Sequence, residues 1–286
     1  MSKENSPNLS SCPPSFFKNK DNMDNSKIKT SEQEDFFIEE IEKIAKSAGE
    51  IVKARYSQGV AHKFKSERQV VTDADKESEQ LLKERLLKIH PCRFYGEEGG
   101  GHITEQGDQW VVDPLDGSEN MSGYPPLFAI SIGLLRNGKP ILGVIYDPIH
   151  ANLYSAQEGR QTRVNEEVTR VSSQTDPAKA IIALDFSSEM ETRLPTLKQL
   201  SRVLEQARAV KIFGAPVLSL AAVAVGRLDL FFRPSTKPTD MVAGVCLVRE
   251  SGGKVVDYEG KDWTIHSKGV IAGSYRMVDA YLPCFR

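Results

Sequence analysis

Trp110-Val111-Val112-Asp113-Pro114-Leu115-Asp116-Gly117-Ser118 is the stretch on which the reading of this chain turns. An apolar run with the pattern of a buried strand ends in two carboxylates three residues apart. Both then stand at a strand end, where they can share hard cations. Pro114 stiffens the turn between them. The Leu115 carbonyl can face the same way. Gly117 lets backbone approach a ligand closely. A helix starting near Ser118 would offer its free N–H groups to a phosphate. An ordinary Asp-Gly turn with an N-cap serine fits the same letters, so other segments have to decide.

Three do so together. Gly96-Glu97-Glu98-Gly99 sets two carboxylates between glycines just upstream, after Phe94-Tyr95. Alone it is a solvated turn. Thr72-Asp73-Ala74-Asp75 precedes a helix, and Thr72 with Asp75 has capping-box spacing. A capping carboxylate at a helix start can also face a site. Thr239-Asp240-Met241-Val242-Ala243-Gly244, followed by Glu250-Ser251-Gly252-Gly253, opens a small-residue helix. Asp240 reads locally as its N-cap. Clustered carboxylates raise one another's pKa unless cations neutralise them. All-oxygen ligands without nearby His or Cys favour Mg²⁺, Mn²⁺ or Ca²⁺ over zinc. The five histidines are dispersed, and there is neither a phosphate loop ending in Gly-Lys nor a Gly-x-Ser-x-Gly elbow.

The remaining sequence bounds the answer. With 286 residues and 40% hydrophobic content, the chain can bury one large domain or two intimately packed ones. A net charge of −2 gives no footprint for nucleic acid or an anionic membrane. No apolar run approaches the ~18 residues of a membrane span. Cys12, Cys92, Cys246 and Cys284 lack metal spacing and read as reduced thiols of a cytoplasmic protein. Residues 1–34, rich in Ser, Asn, Lys and Pro, read as a disordered tail with a small aromatic contact at Phe16 and Phe17.

Periodicity predicts a long amphipathic helix from Phe37 and a second over Ala74–Ile89. Strands are expected over Gln109–Val112, Leu127–Leu135, Ile141–Tyr146 and Asn152–Ala156. Asn137-Gly138 implies antiparallel pairing there. Beyond Val171 strands and helices alternate: strands at Ala180–Leu184, Val210–Phe213, Leu228–Phe232, Lys254–Val256 and Gly269–Ala272, helices at Glu191–Gln206, Pro216–Val225 and Met241–Glu250. The expected class is α+β in residues 35–170 and α/β in residues 171–286, the two halves packing as one body and completing one site.

Taken with their order, the four motifs resemble the inositol monophosphatase superfamily over roughly Phe36–Tyr281. Asp113-Pro-Leu-Asp116-Gly-Ser118 is close to its most specific signature. Asp240 with Ala243-Gly244 and Gly252-Gly253 is similar to the second, and Gly96-Glu97-Glu98 and Thr72-Asp73-Ala74-Asp75 match two weaker ones. The resemblance implies a layered αβαβα sandwich, a homodimer and Mg²⁺-dependent, lithium-sensitive hydrolysis of a small phosphate monoester by metal-activated water. Glu97, Asp113 and the Leu115 carbonyl would hold a first Mg²⁺. Asp113, Asp116 and Asp240 would hold a second, and a third would lean on Glu97. Ser118 and Asp75 would orient and deprotonate the attacking water. Leu115, Asp116, Gly117, Ser118, Arg233 and Asp240 would line the substrate site, with the Gly117 and Ser118 amides on the phosphate.

The chain also departs from the pattern. Thr239 replaces the usual Trp, Val242 a common Ala, and Met121 an aromatic. Arg233 stands where inositol monophosphatases tend to carry a Glu for ring hydroxyls. A guanidinium cannot accept hydrogen bonds from hydroxyls but suits a second phosphate or a carboxylate; it also fits a solvated strand end. The implied substrates are therefore inositol 1-phosphate or a sugar phosphate, with 3′-phosphoadenosine 5′-phosphate as the alternative. A non-catalytic metal- or partner-binding protein is disfavoured, because every expected ligand is a carboxylate and Ser118 keeps its hydroxyl.

Overall fold

The computed structural model describes residues 25–58, 63–66, 69–71, 73–121 and 125–286, with side chains for 37–58, 73–121 and 125–286. The chain divides into two compact units, Met1–Phe36 and Phe37–Arg286. Apart from the first part of one helix, the elements described below belong to the second. The helices are α1 (Asn25–Gln58), α2 (Asp73–Ile89), α3 (Met190–Leu204), α4 (Pro216–Ala224), α5 (Pro238–Glu250) and α6 (Tyr275–Tyr281). The strands are β1 (Lys63–Ser66), β2 (Gln69–Val71), β3 (Arg93–Gly96), β4 (Asp108–Asp116), β5 (Ala129–Arg136), β6 (Lys139–Asp147), β7 (Asn152–Gln157), β8 (Arg160–Val164), β9 (Glu167–Val168), β10 (Ile181–Leu184), β11 (Ala209–Lys211), β12 (Leu230–Arg233), β13 (Lys254–Val256) and β14 (Val270–Gly273).

Strands β3 to β9 lie side by side in sequence order as a seven-stranded sheet. Only the β3–β4 pair is parallel. The Asn137-Gly138 turn joins Arg136 to its partner Lys139, as a two-residue hairpin should. The second sheet has the order β11-β10-β12-β14-β13, with β10 parallel to both of its neighbours and β14 antiparallel to β12 and β13.

Apolar faces stack these elements into five layers. Ile41, Ala45 and Val52 of α1 and Leu82 and Leu86 of α2 share a buried cluster with Trp110, Val112, Ile130 and Val144 of the first sheet. Helices α4 and α5 fill the space between the sheets, where Leu220, Val242 and Val245 meet Val111, Ile145 and Phe231. Helix α5 lies so close that a Cβ on Gly143 would overlap the Ala243 carbonyl. Val203 of α3 and Met277, Val278 and Tyr281 of α6 cover the outer face of the second sheet through Ile182, Leu184 and Phe232. This is the expected αβαβα sandwich.

Several boundaries differ from expectation. Helix α1 begins at Asn25, inside the stretch expected to be tail; residues 1–24, with Phe16 and Phe17, lie outside the described residues, as does Thr72. The polar start of α1 carries good helix formers but no apolar stripe to announce it. The expected strand over Gln109–Val112 continues to Asp116. The one expected over Val210–Phe213 stops at Lys211. Strands β8 and β9 are short and largely polar at the sheet edge, so they lack a period-2 signal. Helix α6 was not foreseen, although Ser274 caps it by accepting from the Met277 N–H.

Candidate metal centre

Strand β4 delivers the first two carboxylates. Its register with β5 pairs Asp113 with Ser131 and Asp116 with Ala129, so a bulge falls between the two aspartates. Pro114 lies inside that bulge, where its missing N–H costs the ladder nothing. The Leu115 N–H turns back to Asp113 Oδ1 at 2.9 Å, and the Pro114 carbonyl accepts the buried Ser78 hydroxyl of α2 at 3.0 Å. Both aspartates are buried and fixed. Gly117 follows at φ +79°, and a Cβ there would stand 2.6 Å from the Leu127 carbonyl. Its glycine is thus required by the chain's own backbone. Ser118 opens the single 3₁₀ turn Ser118–Met121, not an α-helix.

Glu97 follows the end of β3, beside β4. Its loop is held from below by Glu79 of α2, which sequence reasoning did not select. The buried Glu79 carboxylate accepts the Glu98 N–H at 2.8 Å and the Gly99 N–H at 2.5 Å. A Cβ on Gly99 would stand 2.6 Å from that carboxylate, and one on Gly96 would overlap it. The two glycines bracketing Glu97-Glu98 therefore make room for Glu79. A signal existed: Asp75, Ser78, Glu79, Leu82 and Leu86 lie on the buried face of α2, so this face carries three polar residues amid its leucines.

Asp240 comes from α5. The helix begins at Pro238, so Asp240 lies within its first turn and is not the N-cap. Its carboxylate takes the Thr239 hydroxyl at 3.1 Å and pairs with Arg233 Nη1. Arg233, at the end of β12, is not a solvated cation: its side chain is 11% exposed. Its Nε is buried without a hydrogen-bond partner. Lys237 Nζ lies 3.0 Å from Glu97 Oε1. Lys237, like Glu79, was not among the expected site residues.

Glu97, Asp113 and Asp240 each turn one carboxylate oxygen to a common point, the three atoms lying within 4.8 Å of one another. Asp116 does not join that group; its Oδ2 accepts the Val217 N–H, in the first turn of α4, at 3.0 Å. Asp75 is buried in the first turn of α2. Asp185, just past β10, is a further buried carboxylate that the sequence reading passed over. It accepts the Phe213 and Gly214 N–H groups at 3.2 and 2.7 Å and the Ser219 hydroxyl at 3.1 Å. That capture explains why β11 ends early. Leu184-Asp185 repeats the pattern of an apolar strand running into a carboxylate, and that was its signal. Asn120 ties the β4–β5 connection to the β11–α4 connection by donating to the Leu127 and Phe213 carbonyls at 2.7 and 2.8 Å.

The electrostatics call for cations. Burial, then Glu97, Asp116 and Asp240, push the Asp113 carboxyl well above its ordinary value. Burial and Asp240 do the same to Asp116, against the opposing pull of Arg233. Asp185 is pushed up to about 6 by burial, despite its three donors. Burial disfavours the Lys237 ammonium, but Glu97 and Asp240 more than offset it and its pKa rises. Oxygen-only donors converging in a buried, overloaded cluster fit a hard divalent ion.

Comparison with known proteins places the chain in a family. The inositol monophosphatase family profile matches residues 33–283. Inositol monophosphatase 2 of Solanum lycopersicum is 33% identical over 256 residues, covering 86% of this chain and 96% of that protein. Inositol-1-monophosphatase of Bacillus subtilis is 34% identical over 245 residues, covering 82% and 92%. The crystal structure of extragenic suppressor protein suhB from Bartonella henselae superposes with a TM-score of 0.80 at 32% identity, over 85% of this chain and 96% of that one. Among the described residues no helix is long and apolar enough to cross a membrane. The chain belongs to the inositol monophosphatase family, a family of phosphoric monoester hydrolases.

Proposed function

We propose that this protein hydrolyses inositol 1-phosphate or a sugar phosphate in the cytoplasm, in a Mg²⁺-dependent reaction, as a homodimer. The convergence of Glu97, Asp113 and Asp240 on one point carries the reading. Mg²⁺ held by these carboxylates would supply Lewis acidity, neutralising phosphate charge and making a water more acidic. The protein's own groups do the rest. Gly117 and Ser118 lie in the turn after β4, where their N–H groups can bind phosphate oxygens. The Ser118 hydroxyl and the Asp75 carboxylate would orient the attacking water and take its proton. Asp116, Leu115 and Asp240 would shape the pocket around the ester. Positioning and electrostatics, with no covalent intermediate, suffice for such a transfer.

A second reading, a bisphosphate nucleotidase acting on 3′-phosphoadenosine 5′-phosphate, is favoured by one observation: the buried Arg233 guanidinium beside Asp240. Phosphate release measured with Mg²⁺ and with EDTA separates the two. The first reading expects turnover of inositol 1-phosphate or fructose 1,6-bisphosphate above 3′-phosphoadenosine 5′-phosphate, and none in EDTA. The reverse order selects the second. Turnover unaffected by EDTA removes both.

A further inference from the structure

Asp185 follows β10 and is 2% exposed. Its Oδ1 accepts both the Phe213 and the Gly214 N–H, at 3.2 and 2.7 Å, and its Oδ2 accepts the Ser219 hydroxyl of α4 at 3.1 Å. Bonds to a buried carboxylate are strong, and two of these three hold backbone groups of one turn. Gly214 takes φ +66° in that turn. The other side of the turn meets the segment that ends β4 at three places. The Phe213 carbonyl accepts the Asn120 side-chain amide at 2.8 Å. Ala215 packs so near Gly117 that a Cβ on Gly117 would lie 3.2 Å from that of Ala215. The Val217 N–H is donated to Asp116 Oδ2 at 3.0 Å. Asp116 and Asn120 bracket Gly117 and Ser118, so the turn grips both ends of the stretch whose N–H groups can bind phosphate oxygens.

We propose that Asp185 is a positioning residue for the phosphate group: by holding the turn over Phe213–Val217 it fixes the Asp116–Asn120 segment, and so sets where the Gly117 and Ser118 N–H groups point. This rests on the phosphate-binding role proposed above for those two residues. Asp185 acts through the turn and not on the substrate. Its charge also reaches Asp116 and Arg233, so charge and hydrogen bonding have to be separated by experiment.

The probe is inorganic phosphate, titrated calorimetrically into the full-length protein in Mg²⁺ well below Tm, with KM for the preferred substrate measured alongside. Asp185→Ala removes all three contacts. Phosphate affinity should fall by about 10–100-fold and KM should rise in parallel, since misplacing a group by about 1 Å can cost ~100-fold. Asp185→Asn keeps Oδ1 for the two N–H groups and offers Nδ2 to the Ser219 hydroxyl, which can accept, so it should bind phosphate nearly as the wild type does. Ser219→Ala should lower Tm and leave phosphate affinity unchanged, because the turn keeps both of its bonds. Asn120→Ala cuts the link at its other end. Its loss should match or exceed that of Asp185→Ala, and the double variant should lose little more than Asn120→Ala alone. Unchanged affinity in folded Asp185→Ala would overturn the proposal. So would Asp185→Asn or Ser219→Ala binding as weakly as Asp185→Ala, or additive losses in the double variant. Where Asp185→Ala does not fold, Asn120→Ala decides, and unchanged affinity there overturns the proposal. A wild type that neither binds phosphate nor releases it from an ester would overturn this inference and the phosphatase reading together. A wild type that does both, with variants that change nothing, would overturn this inference alone.

Discussion

Glu79→Gln isolates the support beneath Glu97. The Glu79 side chain is buried and accepts two backbone N–H groups with its two carboxylate oxygens. A glutamine keeps one acceptor and turns an NH₂ group toward the other N–H. One charge-assisted bond is lost, and two donors face each other in a site without room to move. Such a bond contributes about 1.5–3 kcal/mol, and leaving a buried donor unmet costs about 1–3 kcal/mol. The two figures overlap, because both describe the same broken bond, so we expect a loss of about 2–4 kcal/mol. At roughly 2–4 °C per kcal/mol for a domain of this size, Tm should fall by about 4–16 °C. Loosening the Glu97 loop should also weaken Mn²⁺ binding by about 10–100-fold, the usual effect of losing a group that orients a metal ligand. Thermal melts in EDTA and a Mn²⁺ titration at a temperature well below Tm read the two effects separately. Unchanged Mn²⁺ affinity in a destabilised variant would show that Glu79 braces the fold but does not set Glu97.

Other perturbations follow from the same geometry. The raised carboxyls bind protons more tightly in the folded protein than in the unfolded chain, so metal-free stability should fall as pH rises through that window. For Asp185 the window runs from the ordinary carboxyl value of 3.8 to about 6, and Asp113 and Asp116 shift in the same direction. Tm in EDTA should therefore drop between about pH 4 and pH 6, and Mg²⁺ should restore more of it at the upper end; a flat profile would contradict the electrostatics. Gly143→Ala should cost about 1–3 kcal/mol or more by pushing α5 off the sheet, visible as a lower Tm. Arg233→Gln should raise KM for a substrate with a second phosphate more than for inositol 1-phosphate, and equal changes would remove Arg233 from leaving-group recognition.

The layers were legible because their signals are local. Alternation, helical spacing and the Asn137-Gly138 turn each act within a few residues, and the four carboxylate motifs stood out because each joins charge to glycine or proline. The supporting groups were harder to see. Glu79 looks like one more acid on a charged helix until the fold brings it beneath the Glu98 and Gly99 amides. Lys237 and Arg233 precede Asp240 in sequence, yet their pairing with Glu97 and Asp240 depends on how two sheets are packed. Asp240 was misjudged as a cap because Pro238, an allowed first-turn residue, moves the helix start upstream. Asp116 illustrates the same limit: its spacing from Asp113 gave no sign that one of its oxygens also accepts the Val217 N–H at the start of α4.

Asp113→Asn tests the central claim most directly. Asp113 is 2% exposed and lies in the carboxylate group with Glu97 and Asp240. Exchanging it for the isosteric amide removes a ligand charge without opening a cavity. Phosphate release from the preferred substrate in Mg²⁺ should fall to the level of the wild type in EDTA, while Tm in EDTA holds steady or rises. Turnover equal to the wild type would contradict a metal centre built on Glu97, Asp113 and Asp240.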